Sequence, residues 1–464
     1  MRNNKSNLYS AIRFATLTAA AAPASVMAGG FALNEQSASA MGVANAGIAA
    51  NPENATTVLF NPAGMSQLSG TNLSFGAAVL DIDAEAKDGV IARRKDGSTF
   101  SDGRGGDIAD PSVLPNVYMT REVSDSVDVG FGIHAPYGLA ADYSSDFTGR
   151  FFADKTELTV ISFTPAISVN NGEGLSMGAG INIMYAEGRL TKSQDLSDQI
   201  GPLATMIDEP YADIEGDDVG VTFRVGFLYE FSEQTQLGLM AQTGTELKLK
   251  GDAEISNVPQ FGIVNGSMGV TGQETISEKV EVPLAIPESI TLGARHQLTD
   301  TITLLAGATY AKWSRFEELD VVSREVGGEV TQAPFEGAIV SHVTEEWQDT
   351  WQFNLGGIWQ ATPEWAFKAG YAFDESPVNE DYVTARIPSN DRHWLTLGAQ
   401  WADERSGWTV DVAAGTLIFD GNARVDEFEY DHNDPKGDPV NASNFKGEYE
   451  LDAWSAGVQV SKSF

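Results

Sequence analysis

The side chains that could do chemistry in this 464-residue chain are histidines and clustered carboxylates, because the sequence holds no cysteine. Two acid-rich stretches, Asp208 to Asp218 and Asp426 to Asp438, could bind divalent cations that bridge lipopolysaccharide, yet neither has the spacing of a calcium loop and both fit solvated loops. The five histidines lack the His-Glu-X-X-His spacing of zinc proteases and have no neighbouring nucleophile pattern. They are His134, His296, His342, His393 and His432. We therefore predict that the chain is not an enzyme, needs no cofactor and holds no metal.

The composition of the chain limits the classes of metal site and binding partner that it can have. The chain has 29 Lys and Arg against 65 Asp and Glu, a formal charge of -36. The lack of cysteine excludes disulfides and thiolate metal sites, and the shortage of cations makes nucleic acid an unsuitable partner. An apolar fraction of 42% is typical of a soluble protein. The order of those apolar residues indicates something else.

The N-terminus has the pattern of a secretory signal peptide over residues 1 to 28. Its cations precede a short apolar core at Ala15 to Ala22, and Val26-Met27-Ala28 supplies small residues for cleavage between Ala28 and Gly29. The apolar core is shorter than the ~20 residues that a membrane helix needs. We therefore predict an exported protein, with a disordered basic tail as the alternative.

From residue 71 onward the dominant pattern is alternation of apolar with small or polar residues, which is typical of strands with one apolar face. The runs are longer than the ~5 to 6 residues usual for soluble strands and match the ~10-residue segments of membrane barrels. They cover residues 127–135, 175–185, 219–231, 351–359, 365–373 and 454–460.

Short turns alternate along the chain with long connections. The six short turns lie at Ser124-Asp125, Asn171-Gly172, Ser232-Glu233, Thr299-Asp300, Thr362-Pro363 and Glu404-Arg405. The seven long connections lie near residues 85–112, 140–155, 191–217, 251–277, 319–346, 376–390 and 421–449. Thirteen connections join fourteen strands, so we predict an all-β fold in which residues 71–464 form an antiparallel transmembrane β-barrel of about 14 strands. A soluble sandwich or propeller does not explain the two classes of turn.

Aromatic residues near segment ends support a membrane location. Tryptophans there fit the girdles of a barrel at the headgroup level, and packing in a soluble core is the alternative. They are Trp313, Trp347, Trp351, Trp365, Trp394, Trp401, Trp408 and Trp454. The terminal Phe464 resembles the signal that outer-membrane assembly machinery reads in a last strand.

Residues 29–70 lack the alternation and are rich in small residues, with Asn51-Pro52 and Asn61-Pro62 as breakers. They hold too few large apolar residues for a separate core and too many for a linker. We therefore predict that they form a plug, or hatch, inside the barrel.

Several blocks of the chain resemble the FadL family of outer-membrane transporters for long-chain fatty acids and aromatic hydrocarbons. Asn61-Pro62-Ala63 matches the NPA motif of the family's hatch, and its position between an export signal and fourteen strands adds specificity. Six further blocks stand in the family's order; they are Gly30 to Glu35, Ala135 to Ala140 followed by Asp146 to Arg150, Ile286 to Ser289, Trp313 to Phe316, Phe373 to Val378, and Ile387 to Trp394.

The resemblance implies a monomer in the outer membrane of a Gram-negative bacterium. It implies capture of a hydrophobic compound at the outer loops, passage to an interior apolar site, and lateral release at a kink of the third strand after the hatch rearranges. Pro136, Tyr137 and Gly138 fall at that kink, where Pro136 cannot complete a ladder bond. A proline at an ordinary strand end is the alternative.

The resemblance also implies roles for single residues. Phe31 would line the interior site, and Lys192 would meet a substrate carboxylate, unless it is a solvated loop cation. A second basic site of the family falls near Gln348, which has no charge. Asp374 or Glu375 would face the Asn61-Pro62-Ala63 segment, unless it is a carboxylate of the turn rim.

The cargo stays open between fatty acids, alkanes and arenes. A general porin and a surface adhesin are less favoured functions, because neither needs a hatch.

Overall fold

The computed structural model describes residues 30–264 and 267–464. The predicted signal peptide and its cleavage site at Ala28 and Gly29 lie outside these residues. Among the described residues no helix is long and apolar enough to cross a membrane.

Strands make up most of the described chain. In chain order they are β1 Thr71–Ala86, β2 Ile91–Arg93, β3 Thr99–Phe100, β4 Ser112–Ser124, β5 Val127–Asp142, β6 Lys155–Asn170, β7 Leu175–Ser193, β8 Tyr211–Ser232, β9 Thr235–Gln242, β10 Thr245–Val264 and β11 Ser267–Ile286. They continue with β12 Ser289–Thr299, β13 Ile302–Ala311, β14 Val321–Ser323, β15 Ile339–Ser341, β16 Thr350–Gln360, β17 Trp365–Asp374, β18 Arg392–Asp403, β19 Trp408–Phe419, β20 Ala423–Phe428 and β21 Asn444–Ser463.

The long strands close into one antiparallel barrel. β9 and β10 form one wall strand in two pieces, as do β11 and β12, because β8 pairs with both β9 and β10, and β12 pairs with β9. The first strand pairs with the last from Asn72 opposite Ser463 to Ala86 opposite Tyr449. The wall therefore has fourteen strands, as the turn pattern predicts. Closure gives every wall strand a paired neighbour on each side over at least part of its length.

All six predicted short turns connect consecutive wall strands at one rim. One predicted long connection differs, because residues 251–277 are not a loop. β10 and β11 continue through that region as a paired hairpin of 20 residues each. Their alternation survives there, with Ala253 and Ile255 buried and Glu254 between them exposed, because the paired strands still cover an interior space.

Alternation sorts side chains to the two faces of the wall. On β8, Phe223, Val225 and Phe227 are exposed, whereas Thr222 and Arg224 are buried. The outward apolar face is the one that lipid covers. Exposure is compatible with the girdle interpretation for Trp351, Trp365, Trp408 and Trp454. The interpretation is wrong for Trp313, Trp347 and Trp394, which are buried. Those three face the interior.

The hatch comprises residues 30–70 and lies inside the barrel. It contains two short helices, α1 (Ala38–Met41) and α2 (Thr57–Phe60), followed by a 3₁₀ helix at Pro62–Gln67. Helix α1 packs against β18, β19 and β21, and the 3₁₀ helix packs against β6, β7 and β8. The hatch thus contacts opposite parts of the wall.

Lumen-facing glycines of the wall let the hatch backbone approach closely. A Cβ on Gly238 would lie under 3.0 Å from the Ala49 carbonyl group and from the Ala50 nitrogen. Those atoms are held in place, because Asn61 Nδ2 donates to the Ala49 oxygen (2.6 Å) and Gln236 Nε2 donates to the Ala50 oxygen (2.5 Å). A side chain at position 238 would therefore displace the hatch itself.

We expect Gly238→Ala to lower the free energy of unfolding by about 1–3 kcal/mol, the usual effect of overpacking. Gly180→Ala is the matched control, because a Cβ there meets nothing closer than 3.4 Å. Unfolding of both purified proteins in detergent measures the difference. Equal stability of the two variants would show that the hatch is not seated against β9 as described.

Candidate functional site

The third wall strand, β5, is kinked at the predicted residues. Its register with β6 shifts between His134 and Tyr137, and its pairing with β4 ends at Val117 opposite Ile133. Pro136 lacks an N–H and cannot continue a regular ladder. Above Ile133, strands β4 and β5 therefore separate, and β6 is the one wall strand that stays paired with β5.

The start of the hatch pairs with this kink from the inside. The Gly138 N–H donates to the Phe31 carbonyl oxygen (2.9 Å), and the Leu33 N–H donates to the Pro136 carbonyl oxygen (3.0 Å). Between these bonds, Ala32 lies opposite Tyr137 in an isolated antiparallel bridge. The hatch thus supplies the backbone partners that the neighbouring wall strand does not.

Phe31 is 1% exposed and sits in a cage of aromatic rings. Its ring centroid lies 4.6 Å from that of Trp313, 5.7 Å from Trp347, 5.9 Å from Phe316 and 6.0 Å from Tyr137. Edge-to-face contacts of this kind stabilise the cage beyond its buried area. The cage joins the hatch to the kink and to the 312–349 connection.

Above Phe31 lies a small apolar cavity of about 50 Å³. Its walls come from the outer parts of the strands and from two connections, and almost all of its lining is apolar. Lining residues include Leu139, Leu158, Ile214, Leu249, Leu284, Phe316, Leu319 and Ile387. Such a lining suits a hydrophobic ligand.

An outer cavity of about 290 Å³ adjoins the apolar cavity at Ile214, which lines both. Lys192, at the end of β7, lines this outer cavity. No described carboxylate lies within 4.0 Å of its ammonium, and Glu429 is paired instead with Lys95 (3.2 Å). The structure therefore leaves Lys192 without an ion-pair partner at the mouth of the apolar space.

Arg386 is a second buried cation at this boundary. No motif or spacing in the sequence distinguishes it from other cations. Its guanidinium donates to Thr156 Oγ1 (2.9 Å) and to the Thr191 carbonyl oxygen (3.1 Å), and Thr156 lines the apolar cavity. Burial raises the pKa of Glu345 to about 8 and that of Glu427 to about 7. The carboxyls around Arg386 are therefore partly protonated near neutral pH and neutralise it incompletely.

A lower cavity of about 170 Å³ lies below the aromatic cage, between the hatch and the wall. Ala32, Pro136 and Tyr137 line it, so it opens onto the kink. Arg224 also lines it, and its guanidinium contacts the Leu59 carbonyl oxygen of the hatch. The three cavities form a series from the mouth to the kink, with Phe31 and Tyr137 between the second and the third.

The Asn61-Pro62-Ala63 segment contacts β7 and β8. Asn61 Oδ1 accepts from the Ala63 N–H (3.1 Å) and starts the 3₁₀ helix, while Asn61 Nδ2 donates to the Phe227 carbonyl oxygen (3.0 Å). The predicted carboxylate contact to this segment is wrong. Asp374 binds Arg392 (2.7 Å), and Glu375 accepts from the Trp351 N–H (2.7 Å). Both lie at the outer end of β17, whereas the segment lies lower in the barrel.

A different ion pair holds the hatch. Lys368 on β17 binds Glu53 of the hatch (2.6 Å) and Asp411 on β19 (3.1 Å), and it donates to the Ser39 carbonyl oxygen (3.2 Å). The Lys368 and Asp411 side chains are each 1% exposed. This contact could have been suspected from the sequence, because Lys368 stands at an inward position of the alternating run 365–373.

A closed fourteen-strand barrel with an apolar outer face, an internal hatch and stacked cavities defines an outer-membrane transport protein. The chain belongs to the outer membrane protein transport family (OMPP1/FadL/TodX), whose profile matches residues 19–464. It is therefore an outer-membrane protein of the class that transports hydrophobic compounds.

Relatives support this assignment over most of the chain. A long-chain fatty acid transport protein of Escherichia coli O6:H1 is 27% identical over 84% of this chain and 86% of its own, and a 47 kDa outer membrane protein of Pasteurella multocida is 28% identical over 86% and 88%. Among solved structures, a Pseudomonas aeruginosa FadL homologue superposes with a TM-score of 0.79 at 19% identity, covering 94% of this chain and 100% of its own. The toluene transporter TodX of P. putida gives 0.65 at 18% identity, covering 94% and 98%.

Proposed function

We propose that this protein takes up long-chain fatty acids. The observation that carries the proposal is that an apolar cavity lies directly inside an outer cavity lined by Lys192, which has no ion-pair partner among the described residues. An amphipathic acid needs both features, because its chain leaves water at about 0.8 kcal/mol per CH₂ while its carboxylate seeks a cation.

The proposed route follows the three cavities. The acid enters at the outer loops, its carboxylate contacts Lys192, and its chain fills the space above Phe31. Movement of the hatch start away from the kink would join the apolar cavity to the lower cavity. Release would then occur sideways, where β4 and β5 separate. A lateral exit suits this cargo, since it never has to cross water on its way to the lipid.

Aromatic hydrocarbons are the second candidate cargo, and a specific observation favours them. The lining of the apolar cavity itself presents almost no polar surface, so an uncharged ring would fit it without any contact to Lys192. Several fold relatives are toluene transporters by name. The two cargoes differ in whether a cation at the mouth matters.

We expect Lys192→Met to reduce oleate uptake about tenfold, since a charge-assisted hydrogen bond contributes about 1.5–3 kcal/mol. Toluene uptake by the same cells should not change. Lys250→Met is the matched control, because Lys250 is exposed on the same extracellular extension and lines none of the three cavities. Radiolabelled uptake in a strain that lacks its own transporter measures both cargoes.

Unchanged oleate uptake in Lys192→Met would contradict the proposed head-group contact and favour an uncharged cargo. An equal fall for oleate and toluene would assign Lys192 a structural role only.

A further inference from the structure

Four metal-ligating side chains from two extracellular connections meet above the outer cavity. They are Glu318, Asp320, His342 and His432. Each offers one ligand atom, and the four atoms lie within 4.8 Å of one another. We call this group the loop cluster. None of its members takes part in the route proposed above.

Three members of the loop cluster are held on a short two-stranded ladder. Leu319 and Val343 exchange both backbone hydrogen bonds (2.9 and 3.2 Å), so Asp320 lies directly opposite His342, and Glu318 bridges to Thr344. Side chains alternate across a strand, so these neighbours share one face while Leu319 points the other way into the apolar cavity. His432 reaches that face from the connection between β20 and β21.

The protonation pattern of His342 leaves one ring nitrogen directed at a carboxylate. Thr344 Oγ1 donates its proton to the Pro435 carbonyl oxygen (3.2 Å), so it can only accept from His342 Nε2–H (3.0 Å). In a neutral imidazole, Nδ1 then carries a lone pair and faces Asp320 Oδ1 at 2.5 Å. Two acceptors at that distance repel each other unless a cation, either a proton or a metal ion, lies between them.

His432 repeats the arrangement on the other carboxylate oxygen. Its Nδ1 lies 2.8 Å from Asp320 Oδ2 and 3.7 Å from Glu318 Oε2, yet it makes no hydrogen bond of acceptable geometry. His342 Nδ1 lies 3.9 Å from the same Glu318 oxygen. Tetrahedral zinc with ligands at about 2.0–2.2 Å places them roughly 3.3 Å apart, so small side-chain movements bring all four into range.

We propose that the loop cluster binds one zinc ion. Two imidazole nitrogens and two carboxylates form a donor set that suits zinc, whereas calcium and magnesium prefer oxygen ligands alone. Thr344 supplies the outer hydrogen bond that fixes the ring of a ligating histidine. Asp320 and His342 are buried at 5% and 6% side-chain exposure, while Glu318 and His432 are open enough to admit the ion.

The bound ion would tie the 312–349 connection to the 420–443 connection. Both connections line the outer cavity, the first through Val340 and His342 and the second through Glu429 and Tyr430. Lys436 also binds Glu346 across the same boundary (2.7 Å). Zinc would therefore hold together two parts of the rim of the outer cavity.

Zinc titration of the purified full chain, freed of metal by a chelator, tests this proposal. We expect about one zinc ion per chain by calorimetry, with affinity reduced at least about tenfold in His342→Gln and in His432→Gln. His296→Gln is the matched control and should bind as the wild type does, because His296 lies at the short-turn rim, where Thr235 Oγ1 is its partner (2.9 Å). Heat-modified gel mobility checks that each variant has folded.

Tryptic cleavage after Lys436 gives a second measurement that does not depend on affinity. Zinc should slow this cleavage in the wild type and leave it unchanged in His432→Gln. A wild-type chain that binds no zinc, or binding that survives both histidine substitutions, would overturn the proposal and leave the cluster as ion pairs of protonated histidines.

Discussion

Oxidation of the double variant Ala32→Cys/Tyr137→Cys is expected to abolish oleate uptake, and reduction is expected to restore it. Ala32 and Tyr137 form the non-hydrogen-bonded pair between the hatch and the kink, because the flanking bonds run from Gly138 to Phe31 and from Leu33 to Pro136. Such pairs place Cα atoms about 4.5 Å apart, within the range of a disulfide. The bond would prevent the hatch start from leaving the kink.

The chain has no native cysteine, so the introduced pair is the one disulfide that can form within a molecule. Ser74→Cys/Ser461→Cys is the matched control, since these hydroxyl oxygens lie 2.9 Å apart across the β1–β21 seam, which stays closed during transport. Uptake by oxidised and reduced cells, with the single variants alongside, measures the effect. If the oxidised 32–137 variant transports as well as its reduced form, the hatch start does not move along the proposed route.

Lys368→Met is expected to lower the free energy of unfolding by about 3–5 kcal/mol, because it leaves the buried Asp411 carboxylate without its cation. Lys368 is the common partner of Glu53 and Asp411, and the methionine side chain is close to it in length. Glu53 belongs to the hatch, so the same change should also loosen the hatch from β17. Denaturant unfolding in detergent measures the stability.

The double variant Lys368→Met/Asp411→Asn should recover part of the lost stability, since it removes the most deeply buried of the unpaired charges. Lys250→Met, which removes an exposed lysine, should change stability by less than about 0.5 kcal/mol. A Lys368→Met protein as stable as the wild type would mean that the ion pairs of Lys368 with Glu53 and Asp411 do not hold the hatch.

The strand pattern and the turns could be predicted from sequence because they are local. Period-two alternation fixes which side chains of β8 face lipid, and short turns fix which strands are neighbours. Trp394 shows where the girdle interpretation went wrong. Its place near a segment end suggested an interface, but its phase, shared with Thr396 and opposite to exposed Leu395, places it inside. The place of a tryptophan in the alternation therefore predicts its exposure better than its distance from a segment end, and that place can be read from the sequence.

The site could be predicted only in part, since it depends on contacts between distant segments. Arg386 lies in a connection of an acidic chain and looks like any solvated cation until Thr156 and Thr191 are brought beside it. His342 and His432 have no motif spacing, because their meeting depends on how two long connections fold over the mouth. The positions of Phe31 and the kink residues were predicted through the family resemblance, whereas their backbone pairing was not.

The seam between β1 and β21 constrains the order in which the hatch and the barrel wall assemble. It joins the start of the barrel to the end of the chain, with the Phe464 N–H bonded to the Thr71 carbonyl oxygen (2.9 Å). Gly70, the last hatch residue, lies against the Phe464 carbonyl group. Once the seam has formed, a hydrogen-bonded wall surrounds the lumen. We therefore expect the hatch to enter an open, half-curled sheet, so that pairing of the last-made strand is the step that encloses it.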